Sequence, residues 1–394
     1  MMNMPAMDWF SHLTHFEDFE DDFLSKDETL TDDEKEEFNY DWDFQPNQAA
    51  TSQNTSPNLT SRDTHRIQLQ CRIALGESMP ASCSQFSVDG KWLAIGTRAG
   101  FVQIHDVEDG RLAFTLDLFQ PGLKKRWPCT ALCIRPCQPG DSSYNVLLSC
   151  DLNGQIHYWH MTSGMHLGIS KEPNNSVYAI DFHPTGARFA TGGRDFKVRI
   201  YDAITRSIMQ TLEEGNGWDT AGHSNRVFAV KWHPKHIHVA LSGGWDSTVQ
   251  VWDTRARHSV QSIYGPFICG DALDINEAGD LVLTGSWRAN QQLQEWDFGS
   301  GRLVRDIPLQ QNGEESCRLY CAKYGKGMSQ KLIAAAGSGS NEKYLLSTAT
   351  NKIVAGLPQV DKATHGLSFA STGSLLAITN RDFVDVFRMD ALVL

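Results

Sequence analysis

Between Gly222 and Asp253 the chain reads GHSNRVFAVKWHPKHIHVALSGGWDSTVQVWD, and this stretch restricts the possible folds more than any other. Three apolar runs lie in it, Val227–Trp232, Val239–Ser242 and Thr248–Trp252. In each, every second residue points to one side, which is the period of a strand and not of a helix. Pro234 and the Gly243-Gly244 pair punctuate the gaps. A Gly-His pair opens the unit and a Trp-Asp pair closes it.

Similar units follow one another from His65 onward. They close at His105-Asp106, Trp159-His160, Tyr201-Asp202, Trp252-Asp253 and Trp296-Asp297. A sixth, from Arg318 to Gly356, lacks the closing pair, and a seventh, from Thr364 to Phe387, holds only three runs. Conversely, Ile67, Leu69, Cys71 and Ile73 alternate with polar residues in a strand, 66–75, that belongs to no unit. Laid on the outside of the seventh unit, that strand completes it and closes a ring. Closure removes the open sheet edges that invite aggregation.

Units of about 40–45 residues with Gly-His and Trp-Asp marks resemble the WD-repeat family, over about residues 66–390. The resemblance implies an all-β fold, a seven-bladed β-propeller, with overlap of the first and last strands. The expected organisation is an acidic, aromatic-containing disordered tail and linker over 1–64 and a propeller over 65–394, closed by strand 66–75 on the last blade.

Charge separates the two parts. Residues 1–61 hold fifteen acids and two lysines, a net of −13, whereas the rest hold thirty-two acids against thirty-three Lys or Arg. A nearly neutral body argues against direct nucleic-acid binding, which needs a basic face. Trp9, Phe16, Phe23, Phe38, Trp42 and Phe44 are interleaved with the acids of the tail. Like-charge repulsion keeps such a segment from collapsing, while its aromatics offer contacts to a partner. The N-terminus lacks the basic and apolar regions of a secretory signal, and no apolar run is long enough for a membrane span. With nine cysteines, an odd number, the expectation is a soluble protein of the cytoplasm or nucleus with free thiols.

His223, Ser242 and Asp246 have the residue types of a nucleophilic triad. In the family they resemble, residues at these positions form a hydrogen-bond relay with the Trp, here Trp252. No nucleophile elbow, P-loop or dinucleotide fingerprint accompanies them. Cys129 and Cys133, four residues apart on a strand, lie nearly 14 Å from each other at about 3.4 Å per residue, too far to share a metal. The histidines of HPKHIH, His233, His236 and His238, read as a turn, because His183-Pro184 marks the matching place one unit earlier. The expectation is therefore a non-enzyme with no cofactor and no metal.

Partner-binding residues are expected at both ends of the ring. Eight residues before the closing Asp of three units stand Arg98, Arg194 and Trp245. The fifth unit offers Trp287 and Arg288, and the seventh repeats Arg194-Asp195-Phe196 as Arg381-Asp382-Phe383. In the family such loops open on the top face, around the channel. Arg and Trp are strong interface residues, so Arg98, Arg194, Phe196, Trp245, Trp287, Arg288, Arg381 and Phe383 form a candidate surface for acidic or phosphorylated peptides. On the bottom face, Trp252-Asp253-Thr254-Arg255 is similar to a box in WD-repeat substrate receptors of cullin–RING ubiquitin ligases. That likeness implies adaptor contacts by Asp253 and Arg255. The first reading is a protein-interaction scaffold. The alternatives are such a ligase receptor and a nuclear transcription or chromatin cofactor that uses the acidic tail. The tail is also suited to intramolecular docking on the arginine-rich face. Deleting residues 1–60 is expected to raise the affinity for an acidic peptide, most at low salt, in a fluorescence-anisotropy titration.

Overall fold

The computed structural model describes residues 67–389, apart from 77, 120–124, 138–144, 214–221, 257, 310–315, 339–342, 351 and 358–361. The chain divides into two units, Met1–Ala49 and Ala50–Leu394, and all described residues belong to the second. The expectations for the tail, residues 1–64, lie outside the described residues.

Seven four-stranded sheets make the structure. Six are meanders of consecutive antiparallel strands, as the alternating runs predict. Their inner strands are Ala81–Phe86, Cys129–Ile134, Val177–Phe182, Val227–Trp232, Leu273–Ile275 and Arg318–Tyr324, and the seventh sheet adds Thr364–Phe369. Each inner strand contacts the next, and the last contacts the first. The fold is an all-β, seven-bladed propeller. The sixth blade is complete although it lacks the Trp-Asp pair, with strands Arg318–Tyr324, Leu332–Ser338, Lys343–Ser347 and Ile353–Gly356. Its strands are supported by burial: Leu332, Ile333, Leu345 and Leu346 are all buried.

Closure comes from the strand that no repeat claimed. Ile67–Ala74 pairs antiparallel with Phe383–Met389, placing Ile73 opposite Val384 and Arg72 opposite Asp385. The Arg72 guanidinium grips the Asp385 carboxylate in two parallel hydrogen bonds, 2.6 and 2.9 Å, and lies 4.1 Å from the centre of the Phe383 ring. Asp385 is 1% exposed, so this contact compensates a buried carboxylate.

The core is a set of layers between neighbouring blades. Ala94, Ile104 and Leu118 of blade one pack with Leu132, Leu147 and Trp159 of blade two, and Ile200 of blade three with Val230 and Trp252 of blade four. Blade seven joins blade one in the same way through Ile73, Val384, Val386, Leu93 and Ile95. Every sheet is thus covered on both faces, which explains why the middle strands are apolar nearly throughout.

Antiparallel connection fixes which loops share an end. Hairpins between the second and third strands, and the links between blades, lie at one end, here the top. The other hairpins lie at the bottom. Among the described residues no helix is long and apolar enough to cross a membrane.

Arg72→Ala leaves the buried Asp385 carboxylate without its partner. It is expected to destabilise the protein by on the order of 2 kcal/mol, measured as a lower urea midpoint with an unchanged slope.

Candidate partner-binding surface

Six of the seven inner strands carry a β-bulge at the same place. Their register shifts across Ser82, Thr130, Tyr178, Phe228, Tyr320 and His365, one residue after the opening of the pairing in five blades and two residues after it in blade six. A bulge leaves one residue outside the ladder and re-aims its side chain. These residues sit near the top of the inner strands and reach toward the next blade. The Ser82 hydroxyl donates to the Cys129 carbonyl, and the Thr130 hydroxyl to that of Val177. The Tyr178 ring stacks on Phe228 at 4.7 Å. Tyr320 lies 5.4 Å from His365.

Hairpin residues extend this ring of side chains. Trp245 lies 5.1 Å from Phe228 and stacks on Phe267 at 6.1 Å, with its indole N–H donating to the Cys269 sulfur at 2.9 Å. The Arg226 guanidinium is 5.5 Å from the centre of the Trp245 ring. Trp287 faces Tyr320 at 6.4 Å and carries the Arg318 guanidinium 4.8 Å from its ring centre. Burial, with the charges of Arg98 and Arg381 nearby, pushes the His365 imidazole down to about 3, so it is neutral at physiological pH. One arc of rings therefore runs Tyr178–Phe228–Trp245–Phe267, and another Trp287–Tyr320–His365. In the gap between them, Asp271 of blade five occupies the position of the bulged residues.

Below the arcs lies a belt of charge. Lys231 Nζ is 3.5 Å from Asp271 Oδ1 and 4.0 Å from Asp181 Oδ1, and Lys323 Nζ is 2.5 Å from Asp271 Oδ1. Burial raises the Asp271 carboxyl, but the two ammonium groups outweigh it and hold the group at about 2. Asp181 and Asp274 accept the backbone N–H groups of Trp232 and Tyr324, at 2.8 and 2.9 Å. The belt is confined to blades three to six, because the matching inner-strand positions in blades seven, one and two are Ser368, Gln85 and Cys133.

The expected top-face residues are not equivalent. Arg98, Arg194, Trp245 and Arg381 occupy hairpins at that end, and Phe196 is 39% exposed there. Arg288 is committed elsewhere. Its guanidinium donates to the carbonyls of Gly265 and Gln291 and to the Gln294 side chain, and burial holds its pKa below the ordinary value. Phe383 is not a loop residue. It begins the third strand of blade seven, under Arg72. The cause is hairpin length: two residues separate the strands in blade seven, four in blade three. Sequence reasoning missed Tyr178, Phe228, Tyr320, His365, Arg226 and Arg318. Aligning the inner strands of the repeats with one another would have brought the bulged positions together.

At the bottom, Arg255 turns back on Asp253 with bonds of 2.9 Å from Nε and 2.6 Å from Nη2. Those bonds pull the Asp253 carboxyl down to about 2. Both proposed contacts are thus engaged with each other, although the Arg255 side chain remains 70% exposed.

In blade four, His223 bonds the Asp246 carboxylate at 2.7 Å and Ser242 Oγ at 2.6 Å, and Trp252 Nε1 donates to the same hydroxyl at 2.7 Å. Ser242 and Trp252 are completely buried. Trp159 bonds Ser149 at 3.0 Å in blade two, and Trp296 bonds Thr284 at 2.9 Å in blade five. Blade three substitutes a carboxylate for the histidine: buried Glu172 accepts from Thr191, Tyr201, Asn175 and Arg199. A Trp–hydroxyl bond at the same place in three blades ties the second strand to the third. Residues 166–202 and 218–253 match the family model described as WD domain, G-beta repeat.

The chain is a WD-repeat propeller.

It is 26% identical over 160 residues to pre-mRNA-processing factor 19 of Mus musculus, covering 40% of this chain and 29% of that protein. It is 23% identical over 271 residues to the WD repeat-containing protein slp1 of Schizosaccharomyces pombe, covering 68% and 50%. To a ribosome biogenesis protein WDR12 homolog of Drosophila yakuba it is 27% identical over 231 residues, covering 56% and 52%. The chain thus spans about half or less of the length of these relatives. Among the described residues of the propeller, no group of three or more His, Cys, Asp or Glu is placed to hold a metal ion.

Ser242→Ala removes the acceptor that Trp252 and the bond that His223 use inside the blade. It is expected to cost the propeller about 2 kcal/mol, measured by chemical denaturation.

Proposed function

We propose that this propeller is a non-catalytic scaffold whose top face takes up acidic or phosphorylated peptide segments of protein partners. The observation that carries the reading is, among the described residues, a set of guanidinium groups beside aromatic rings at one end. Arg98, Arg194, Arg226, Arg318 and Arg381 stand there with Trp245 and Trp287. Among the described residues, several acids of the same end are engaged within the fold. Asp195 pairs with Arg199, Asp246 with His223, Asp382 with Lys362, Glu213 with Lys197 and Asp117 with Arg126. Arginine suits carboxylate and phosphate through planar, two-pronged hydrogen bonding. The aromatics supply contact area at low entropic cost.

Relatives are named for pre-mRNA processing, ribosome biogenesis and a small nucleolar RNA, and on that likeness we propose ribonucleoprotein assemblies as one source of such partners. The ligase and transcription readings have less support. One rests on Asp253 and Arg255, which bind each other, and the other rests on tail residues outside the described set.

The test is anisotropy with a labelled acidic peptide, its phosphorylated form and a neutral form of equal length. The double variant Arg194→Glu, Arg226→Glu is expected to weaken acidic and phosphorylated peptides at least about tenfold, and added salt to weaken them in the parent. Arg111→Glu at the bottom is expected to change nothing. Single-stranded RNA that competes as well as the peptide would show a general polyanion site instead.

A further inference from the structure

Where one blade meets the next, the residue that follows the bulge packs near the residue that opens the next inner strand. Between blades two and three these are Ala131 and Val177, and between blades three and four Ala179 and Val227. Between blades one and two the same places hold Cys83 and Cys129, which share one core cluster. Alanine and valine fill the two junctions that follow, so packing alone does not call for two thiols.

The backbone brings the two sulfurs together. Gly96 stands opposite Cys83 in the ladder, and a Cβ on it would lie 2.7 Å from each sulfur. The sulfurs thus share the space that this glycine leaves, within hydrogen-bonding reach of each other. Ser82 fixes the approach. Its hydroxyl donates to the Cys129 carbonyl at 2.6 Å, and its oxygen lies 3.6 Å from the Cys83 sulfur. The thiols differ in access, since Cys83 is half-buried and Cys129 is 1% exposed. The contact with Cys83, with burial added, pushes the Cys129 thiol well above its ordinary range, so it stays protonated. A dissolved oxidant therefore meets Cys83 first.

We propose that Cys83 and Cys129 are a modification site for hydroperoxide, at which a reversible disulfide staples blade one to blade two. The Cys83 thiolate attacks one peroxide oxygen and the O–O bond breaks. Cys83 becomes a sulfenic acid, and the hydroxide that leaves takes up the proton that Cys83 had released. The Cys129 sulfur then attacks the Cys83 sulfur, its proton passes to the departing hydroxyl, and water leaves. Two thiols are oxidised, and one peroxide is reduced to two waters. The bond restricts the unfolded chain between the two residues, which favours the folded state.

The experiment treats the full chain with hydrogen peroxide, blocks the remaining thiols with N-ethylmaleimide in denaturant and maps the peptides by fragmentation mass spectrometry. A peptide pair linked through Cys83 and Cys129 is expected, lighter by two hydrogens and separated by dithiothreitol. The melting temperature of the oxidised chain is expected to rise by about 5 °C. Cys83→Ala and Cys129→Val supply the residues of the next two junctions, so both variants are expected to fold. Neither is expected to gain stability on oxidation. Cys129→Val is expected to stop at the Cys83 sulfenic acid, which dimedone traps. Passage of Cys83 to the sulfinic acid in the parent chain, with Cys129 still reduced, overturns the proposal. So does linkage of Cys83 to another cysteine, or no reaction at Cys83. A linked pair with a lower melting temperature makes the bond a lesion and overturns the staple.

Discussion

Pairing of Ile67–Ala74 with Phe383–Met389 is the constraint on which the rest of the structure depends. Each blade is a sheet apolar on both faces, and neither face can be covered from within the blade. Only a neighbour on each side can bury it, so the seven blades need a closed circle. Residues 313 positions apart in sequence hold that circle through Arg72 and Asp385. The core cluster at the junction takes members from both ends of the described chain, Ile73 and Val386 among them. Closing so long a loop costs chain entropy that local contacts do not return. The apolar ladder of the last strand, with the half-exposed Arg72 paired to buried Asp385, offsets it.

Within this circle the polar groups divide the work. The bonds of Trp252, Trp159 and Trp296 to hydroxyls on the neighbouring strand satisfy buried indole N–H groups, and in blade four they also fix the top loop through His223 and Asp246. In blade three, Glu172 stands for the histidine and Tyr201 for the tryptophan, and Arg199 passes the restraint to Asp195. Catalytic-looking residue types therefore serve to hold hairpins still. Recognition needs such rigidity, because a loop ordered beforehand loses less entropy on binding.

The blade count, the closing strand and the four-stranded completeness of the ring were legible in the sequence, since they follow from a period of two and from one strand missing beside one strand spare. Side-chain destinations were less legible. Counting back from the closing Asp finds Arg98, Arg194 and Trp245 because hairpin length is nearly constant there. Reading Arg381-Asp382-Phe383 as a repeat of Arg194-Asp195-Phe196 misplaces Phe383, where the hairpin is two residues shorter. The longer loop of blade five offers Arg288, but its sequence does not tell that Arg288 spends its donors on Gly265, Gln291 and Gln294. Tyr178, Phe228, Tyr320 and His365 were hidden for another reason. Strict alternation assigns each to a face of its sheet, and only the bulge takes it out of the ladder.

Seven similar blades do not make a sevenfold surface. The bulged position holds Ser and Thr in blades one and two, rings in three, four, six and seven, and Asp271 in five. The position beneath is charged in blades three to six and neutral in the other three. A ligand centred on the top would meet aromatic rings on one side of the channel and small hydroxyls on the other. Asp271 further divides the aromatic side, and Lys231 and Lys323 hold its carboxylate charged. The asymmetry distinguishes one side of the top from the other, a property that repeat symmetry alone could not supply.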